Sequence, residues 1–199
     1  MLKAMNSAPD AYLASSEAID CDHVLVKKKA KELAAAASGE VELVKKVYDY
    51  VRDTFPHSWD IKAAEVSRSA SDVLKNGHGI CYAKSHLLAA LLRCSGIPAG
   101  FCYQTLRLKD ECSNLVLHAV SVVYIKSLKQ WIRLDARGNK PGVDARFSLG
   151  EEKLAYPVRP ELGEVDGWDI YAQPSPATLA VLASSKTVEE LIQNLPGHI

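Results

Sequence analysis

Three side chains in the middle of the sequence, Cys81, His118 and Asp135, have the types and the order of a thiol nucleophile, its base and an orienting carboxylate. Cys81 stands where a long apolar helix is predicted to begin. A helix N-terminus supplies unpaired backbone N–H groups and a positive dipole end, which favour a thiolate and could stabilise an oxyanion. Gly77 and Gly79 would let the chain approach closely and leave room for a substrate. We therefore predict that Cys81 is a nucleophile, although a free cysteine is more often a small buried hydrophobic residue.

The spacing of His118 and Asp135 predicts that they meet on one face of a β-hairpin. His118 lies in the β-branched stretch 115–125, and Asp135 ends the next predicted strand, 131–135. A two-residue loop would pair them directly, and a four-residue loop would make them diagonal neighbours. In either case the carboxylate could orient the imidazole and stabilise its protonated form, whereas an odd loop length would separate them. Taken singly, a strand histidine is more often a core residue and such an aspartate a turn former, so the prediction rests on the combination.

Four further side chains, His78, Tyr82, Trp59 and Tyr103, are weaker candidates for lining a substrate cleft. The alternative is an exposed loop position for His78 and core packing for Tyr82 and Trp59, while the strand pattern leaves the orientation of Tyr103 open. A zinc site formed by His78, Cys81 and later cysteines is not supported by the ligand spacing, so we predict neither a metal nor another cofactor.

The other cysteines are Cys21, Cys94, Cys102 and Cys112. They lack the helix-start setting, and an odd, scattered set is not typical of a disulfide framework. We predict that these four are structural.

Helical patterns dominate the first half of the chain. Two amphipathic stripes, within 26–37 and 41–55, predict core-facing helices; Asp22 is a possible cap for the first. Ser69 or Ser71 could cap a short helix that Gly77 ends. The helix that starts at Cys81 is apolar around most of its circumference, which is typical of a buried helix.

The second half changes to strand patterns at 101–108, 115–125 and 131–135, with a polar loop at 110–114. The tail, 151–199, is expected to be an extended arm with short helices, of which the last has a Thr187–Glu190 capping box. Helices followed by strands predict an α+β fold in which N-terminal helices and the buried Cys81 helix pack on an antiparallel sheet.

Composition excludes several classes of protein. The 199 residues suit a single domain spanning 1–199, with 48% hydrophobic and 24% charged residues. Lys plus Arg and Asp plus Glu number 24 each, so we predict no nucleic-acid partner. No stretch approaches the roughly 20 apolar residues of a membrane span. Residues 1–10 lack the apolar core of a signal peptide, which predicts a cytoplasmic protein; the oligomeric state is left open.

Three segments resemble the motifs of the transglutaminase-like superfamily. Gly-His-Gly-Ile-Cys-Tyr-Ala-Lys at 77–84, with Leu-Leu-Arg-Cys-Ser-Gly-Ile-Pro-Ala at 91–99, is similar to its cysteine motif. Leu-His-Ala-Val at 117–120 resembles its histidine motif, and Trp-Ile-Arg-Leu-Asp at 131–135 its aspartate motif. The resemblance covers about 40–140, the expected core of the domain.

This resemblance implies a papain-related fold, with Cys81 as nucleophile, His118 as base and Asp135 as the orienting carboxylate. The sequence is most similar to the compact bacterial group. It has no calcium-binding loop, no room for the β-sandwich domains of cross-linking transglutaminases, and no paired Cys-x-x-Cys motifs of the kind that bind zinc in peptide N-glycanases.

The leading functional hypothesis is a thiol enzyme that forms a thioester acyl-enzyme from a peptide or protein amide. We predict hydrolysis, as in a cysteine protease, rather than transamidation, because no second-substrate site is evident in the sequence. The alternative is a binding module of the same fold that keeps the three residues without turnover, with the proline-rich tail docking a partner or covering the cleft.

Overall fold

The computed structural model describes residues 1–109, 111 and 113–199. Cys112, predicted to be structural, lies outside the described residues, as does part of the predicted polar loop 110–114. The α-helices are α1 (Val24–Ala35), α2 (Glu40–Thr54), α3 (Ala70–Asn76), α4 (Cys81–Cys94), α5 (Pro176–Ser184) and α6 (Val188–Gln193). The strands are β1 (Lys3–Ala4), β2 (Ala99–Arg107), β3 (Leu115–Ile125), β4 (Gln130–Leu134), β5 (Val165–Asp166) and β6 (Asp169–Ile170).

An antiparallel sheet of order β4-β3-β2-β5 forms the centre of the fold. β3 and β4 pair Ser121 with Leu134 and Ile125 with Gln130, so residues 126–129 form a four-residue loop. This is one of the two even loop lengths compatible with the predicted hairpin. Lys129 closes the loop with a φ of 53°. The predicted strand 131–135 differs from β4 by one residue at each end. β4 begins at Gln130, and Asp135 lies just beyond its last residue.

α4 is the buried centre of the helical layer. Every residue from Cys81 to Arg93 is buried, as the apolar circumference of this segment predicts. α1, α2 and α3 pack around α4, and one face of the sheet, including Val123 and Leu134, closes the same hydrophobic cluster. A smaller cluster on the other face contains Cys102 and Val120. Helices therefore precede and cover an antiparallel sheet, which confirms the predicted α+β class.

The helix ends agree with the sequence except at α1. His23, rather than Asp22, is the N-cap of α1, where its Nδ1 accepts the N–H of Leu25 at 3.2 Å. Ser69 caps α3 in a capping box with Asp72. Among the described helices, none combines the length and apolar character needed to cross a membrane.

The tail, expected to be an extended arm with short helices, contains the helices α5 and α6. α5, which was not singled out in the sequence, begins at a Ser175 cap and is followed by α6. Thr187 caps α6 by accepting the N–H of Glu190, but the Glu190 carboxylate accepts from Lys186 instead of completing the predicted capping box. The tail therefore packs on the body partly as helices.

Candidate active site

Cys81 is the first residue of α4, and its side chain faces a cleft of about 330 Å³. The N-cap position, Ile80, provides no side-chain cap, so the first N–H groups of the helix are not occupied by a capping side chain. Gly79 leaves no space for a substrate, contrary to the prediction: a Cβ there would lie 3.1 Å from Val73 and 3.3 Å from Ala83. The glycine instead allows α3 and α4 to pack closely beside the nucleophile.

His118 and Asp135 are joined by a hydrogen bond of 2.7 Å from the imidazole Nε2 to the carboxylate Oδ2. Continuing the β3–β4 register beyond the end of β4 makes the two residues diagonal neighbours, as the four-residue loop predicts. Nε2 is thereby committed to Asp135, which leaves Nδ1 for the sulfur. His118 and Cys81 line the same cleft.

The electrostatics of this group favour a charged histidine. Burial alone would lower the pKa of His118, but the Asp135 carboxylate and the Cys81 sulfur outweigh it and raise the pKa from 6.5 to about 10. Burial raises the pKa of Asp135, but the charge and hydrogen bond of His118, together with two backbone N–H donors, hold it below its usual range. At neutral pH this geometry accommodates an imidazolium between a carboxylate and a sulfur.

The Asp135 carboxylate is held from several sides. Its Oδ1 accepts the N–H of Arg137 at 3.0 Å, and its Oδ2 also accepts the N–H of Ala155 at 3.0 Å. The hydroxyl of Tyr48 donates to the backbone carbonyl of Asp135 at 3.1 Å. These contacts come from α2, from the segment after β4 and from the tail, so they fix Asp135 relative to three separate parts of the fold.

Tyr82 lies in the core instead of the cleft. Only 1% of it is exposed, and its hydroxyl donates to the carbonyl of Leu117 at 2.8 Å. This bond joins the residue after Cys81 to the residue before His118. Tyr82 therefore positions the first turn of α4 against β3.

Of the other three predicted cleft residues, Trp59 lines the cleft and His78 and Tyr103 do not. The Nδ1 of His78 lies 2.9 Å from the hydroxyl of Ser58, so the ring turns into the loop. The hydroxyl of Tyr103 accepts the N–H of Ser175 at 2.7 Å, because β2 directs this side chain towards the start of α5. Trp59 is 46% exposed at the mouth of the cleft.

Several cleft residues were missed in the sequence because they come from irregular segments. His57 enters from the loop after α2, Arg137 from the segment after β4, and Tyr156 from the tail. The Tyr156 ring lies edge-on to that of His118, with 5.3 Å between centroids. A proline lies next to His57 and another next to Tyr156, which indicates loops at both places. A loop has no periodic pattern that predicts the direction of its side chains.

The cleft has an apolar wall and a polar end. Leu106 of β2, Val116 of β3 and Leu195 of the tail contribute to the apolar wall. At the polar end Arg137 donates to both carboxylate oxygens of Asp60, at 2.6 and 2.9 Å. A second cavity of about 360 Å³ adjoins this end and shares His57, Arg137 and Lys140 with the first.

Lys84 is a buried cation one helical turn after Cys81. Its ammonium donates to the carbonyls of Arg52, Phe55 and Arg137, the first at 3.2 Å and the last at 3.0 Å. Burial lowers its pKa from 10.5 to about 7, against the opposing charge of Asp135. The three bonds tie α4 to the end of α2 and to the segment that follows Asp135.

The remaining described cysteines differ from Cys81 in their surroundings. Burial raises the pKa of the Cys102 thiol to about 12 and that of the Cys94 thiol above its usual range. Both are therefore thiols at neutral pH. Among residues 1–109, 111 and 113–199, no group of three or more His, Cys, Asp or Glu side chains is arranged to hold a metal ion.

Solved structures with a similar fold include three bacterial proteins. A candidate cysteine protease from Cytophaga hutchinsonii aligns with a TM-score of 0.54 and 22% identity, over 67% of this chain and 43% of its own. The periplasmic domain of TgpA from Pseudomonas aeruginosa has a TM-score of 0.46 and 20% identity, over 65% and 47%. A candidate protease from Parabacteroides distasonis has 0.43 and 16%, over 62% and 25%.

The chain thus spans less than half the length of each of these proteins, and the likeness to the Cytophaga hutchinsonii protein concerns the fold alone. A comparison with curated proteins gave no match. The cytoplasmic location and the single domain spanning 1–199 stay predictions.

A family match covers the site itself. Residues 27–136 match the transglutaminase-like superfamily, a range that starts in α1 and ends one residue after Asp135. The predicted resemblance and the predicted fold are thereby confirmed. The chain belongs to the transglutaminase-like superfamily.

Proposed function

We propose that this protein is a cysteine hydrolase acting on amide bonds, with Cys81 as nucleophile, His118 as base and Asp135 as the orienting carboxylate. The observation that carries the proposal is the connection between the three groups. Cys81 stands at an uncapped helix N-terminus in the cleft, and the imidazole beside it is bonded to a buried carboxylate at 2.7 Å. A cysteine with only a structural role would not require a paired imidazole in the same cleft.

The first half of the reaction transfers the acyl group to sulfur. The Cys81 thiolate attacks the amide carbonyl carbon, and a carbon–sulfur bond forms. The carbon–nitrogen bond then breaks as the His118 imidazolium gives its proton to the departing amine. A thioester, a free amine and a neutral imidazole result, with Asp135 keeping the ring oriented through Nε2.

Water completes the proposed reaction. Neutral His118 takes a proton from a water molecule, whose oxygen adds to the thioester carbonyl. The carbon–sulfur bond breaks, releasing a carboxylic acid and restoring the thiolate–imidazolium pair. The 46% exposure of Trp59 at the mouth of the cleft supports access of water. The second cavity beside His57 is the place where an amine could compete, so the acceptor must be tested directly.

The cleft favours a peptide with an apolar side chain next to the scissile bond. Leu106, Val116 and Leu195 line the same cleft as Cys81, and Leu106 and Val116 are directly paired across β2 and β3. Burying a side chain such as leucine against such a wall contributes about 1.5–3 kcal/mol to binding.

Intact-mass spectrometry with p-nitrophenyl acetate tests acyl-enzyme formation. Wild type should gain one acetyl group on Cys81, and the adduct should disappear with time as acetate is released. Cys81→Ala should gain none, whereas Cys94→Ala should behave as wild type. Release of labelled peptides from a library varied at the residue before the scissile bond then identifies the preferred amide.

The same assay with added cadaverine separates hydrolysis from transamidation. We expect acetate to remain the main product; acetylcadaverine as the main product would refute the hydrolytic second step. Iodoacetamide should label Cys81 faster than Cys94 or Cys102 at pH 7. No preference for Cys81, together with no acetyl adduct, would refute the enzyme and favour the binding module.

A further inference from the structure

His57 is a cleft residue that the proposed triad does not use. It lines the same cleft as Cys81 and His118, and also the adjoining cavity. The side chain as a whole is partly exposed, but its Nδ1 atom is buried and has no hydrogen-bond partner among the described residues. A buried polar atom without a partner costs about 1–3 kcal/mol, so its presence requires an explanation, and a functional role for the ring is one.

The backbone fixes His57 relative to the nucleophile. His57 forms a parallel bridge with Gly79, two residues before Cys81. On either side of this bridge, the N–H of Ser58 donates to the Gly79 carbonyl at 3.2 Å and the N–H of Gly79 donates to the Pro56 carbonyl at 3.4 Å. The imidazole is therefore held on the segment that leads directly into the N-terminus of α4.

The ring of His57 is a neutral hydrogen-bond donor. Burial, and then the positive charge of Arg137, lower its pKa from 6.5 to about 3, against the opposing effect of Asp60. At neutral pH the ring carries a single N–H and no charge. With so low a pKa the ring is too weak a base to act as a general base at neutral pH. Because it is uncharged, it also does not form a second ion pair with the thiolate in place of His118.

We propose that His57 donates a hydrogen bond to the oxyanion that forms when Cys81 attacks a carbonyl, together with the backbone N–H of Cys81. This rests on the proposed function, because only acyl transfer creates that oxyanion. A donor fixed before the reaction stabilises the developing charge without reorganisation, which is the basis of oxyanion-hole catalysis. Because Nδ1 is closed to solvent, the ring can reach a substrate oxygen only through Nε2.

Trp59 is the competing donor, since its indole N–H also belongs to a cleft-lining residue. Its side chain is 46% exposed, so water can satisfy this N–H without a substrate. It also lacks the direct backbone bridge to the segment before Cys81 that His57 has. His57 is therefore the better placed of the two, and Trp59→Phe is the matched control.

Two reactions of Cys81 separate the proposed role from a merely structural one. Acylation by p-nitrophenyl acetate passes through an oxyanion, whereas alkylation by iodoacetamide proceeds by displacement and forms none. His57→Phe fills the ring volume without an N–H and should lower the acylation rate by about 10²–10³-fold while leaving alkylation within about twofold of wild type. His57→Gln, which restores an N–H donor, should recover part of the loss.

Three outcomes would overturn the inference. Acylation of His57→Phe within about threefold of wild type would mean that His57 donates nothing of consequence. A parallel loss of alkylation would assign it a structural or electrostatic role. A large acylation loss in Trp59→Phe with none in His57→Phe would make Trp59 the donor.

Circular dichroism and melting temperature establish that each variant is folded, and His57→Leu, which also lacks a side-chain donor, replaces His57→Phe in the comparison if it is not. If wild type itself forms no acetyl adduct, the proposed function fails and this inference fails with it. Unchanged acylation in a folded His57→Phe or His57→Leu variant refutes the inference alone.

Discussion

Replacing Asp135 by asparagine removes the charge from the site while keeping its shape. The carboxylate accepts three hydrogen bonds: Oδ2 from His118 and Ala155, and Oδ1 from Arg137. The amide of asparagine has only one acceptor oxygen. Because two donors converge on the Oδ2 position, we expect the amide oxygen to take that position and the amide NH₂ to face the N–H of Arg137.

The expected loss follows from these contacts. The His118 imidazolium would lose its buried ionic partner, and breaking such a pair costs about 3–5 kcal/mol of the free energy of unfolding. The backbone N–H of Arg137 and the NH₂ of the introduced amide would face each other as two donors. They contribute to that loss, because an unsatisfied buried donor costs about 1–3 kcal/mol. Since imidazolium is no longer favoured, the thiolate also loses its partner, and alkylation of Cys81 at pH 7 should fall at least tenfold.

The effect on stability should depend on pH in a defined direction. The pKa of Asp135 is lowered from 3.8 in the folded protein, so its contribution is present above that value and is lost as pH falls. The pKa of His118 is raised from 6.5 to about 10, so its contribution is complete below 6.5 and is lost as pH rises towards 10. The difference between wild type and Asp135→Asn should therefore be greatest between about pH 4 and 6.5.

Urea unfolding at pH 5.5 and at pH 9.5 measures this difference. Asp144→Asn is the control, because Asp144 is an exposed residue whose ion pair with Arg146 lies at the surface; its replacement should have no measurable effect at either pH. A loss in Asp135→Asn that is equal at both pH values, or larger at pH 9.5, would refute the ion-pair reasoning. If Cys81 in the Asp135→Asn variant is alkylated at the wild-type rate, Asp135 does not contribute to activation of the thiol.

Three further substitutions test the surroundings of the site. Lys84→Met leaves three buried carbonyls without their shared donor and should lower the free energy of unfolding by about 3 kcal/mol or more in urea titrations; a stabilised variant would mean that burial of the cation outweighs its bonds. Tyr82→Phe loses the bond to the Leu117 carbonyl and should cost about 1 kcal/mol in the same assay, and an unchanged midpoint would contradict this. Gly100→Ala brings a Cβ to 2.7 Å from a backbone carbonyl and should lower the melting temperature, whereas Gly150→Ala, with nothing within 4 Å, should not; equal effects would show that the close approach carries no cost.

Local sequence determined the elements that carry the three principal residues. The apolar circumference of 81–94 predicted a buried helix starting at Cys81, and the β-branched run 115–125 predicted β3 with the bounds that the structure has. Strand parity restricted the hairpin to even loop lengths if His118 and Asp135 were to meet. These inferences succeed because helix and strand periods are properties of short stretches of chain.

Only the tertiary structure decided what surrounds those residues. Residues far apart in sequence meet there, as when the Ala155 N–H reaches the Asp135 carboxylate or the Leu117 N–H donates to the carbonyl of Pro196 at 2.7 Å. The direction of a side chain in an irregular segment follows from such contacts and has no period along the chain. For this reason His57 in the cleft and Tyr82 in the core could not be distinguished by residue type alone.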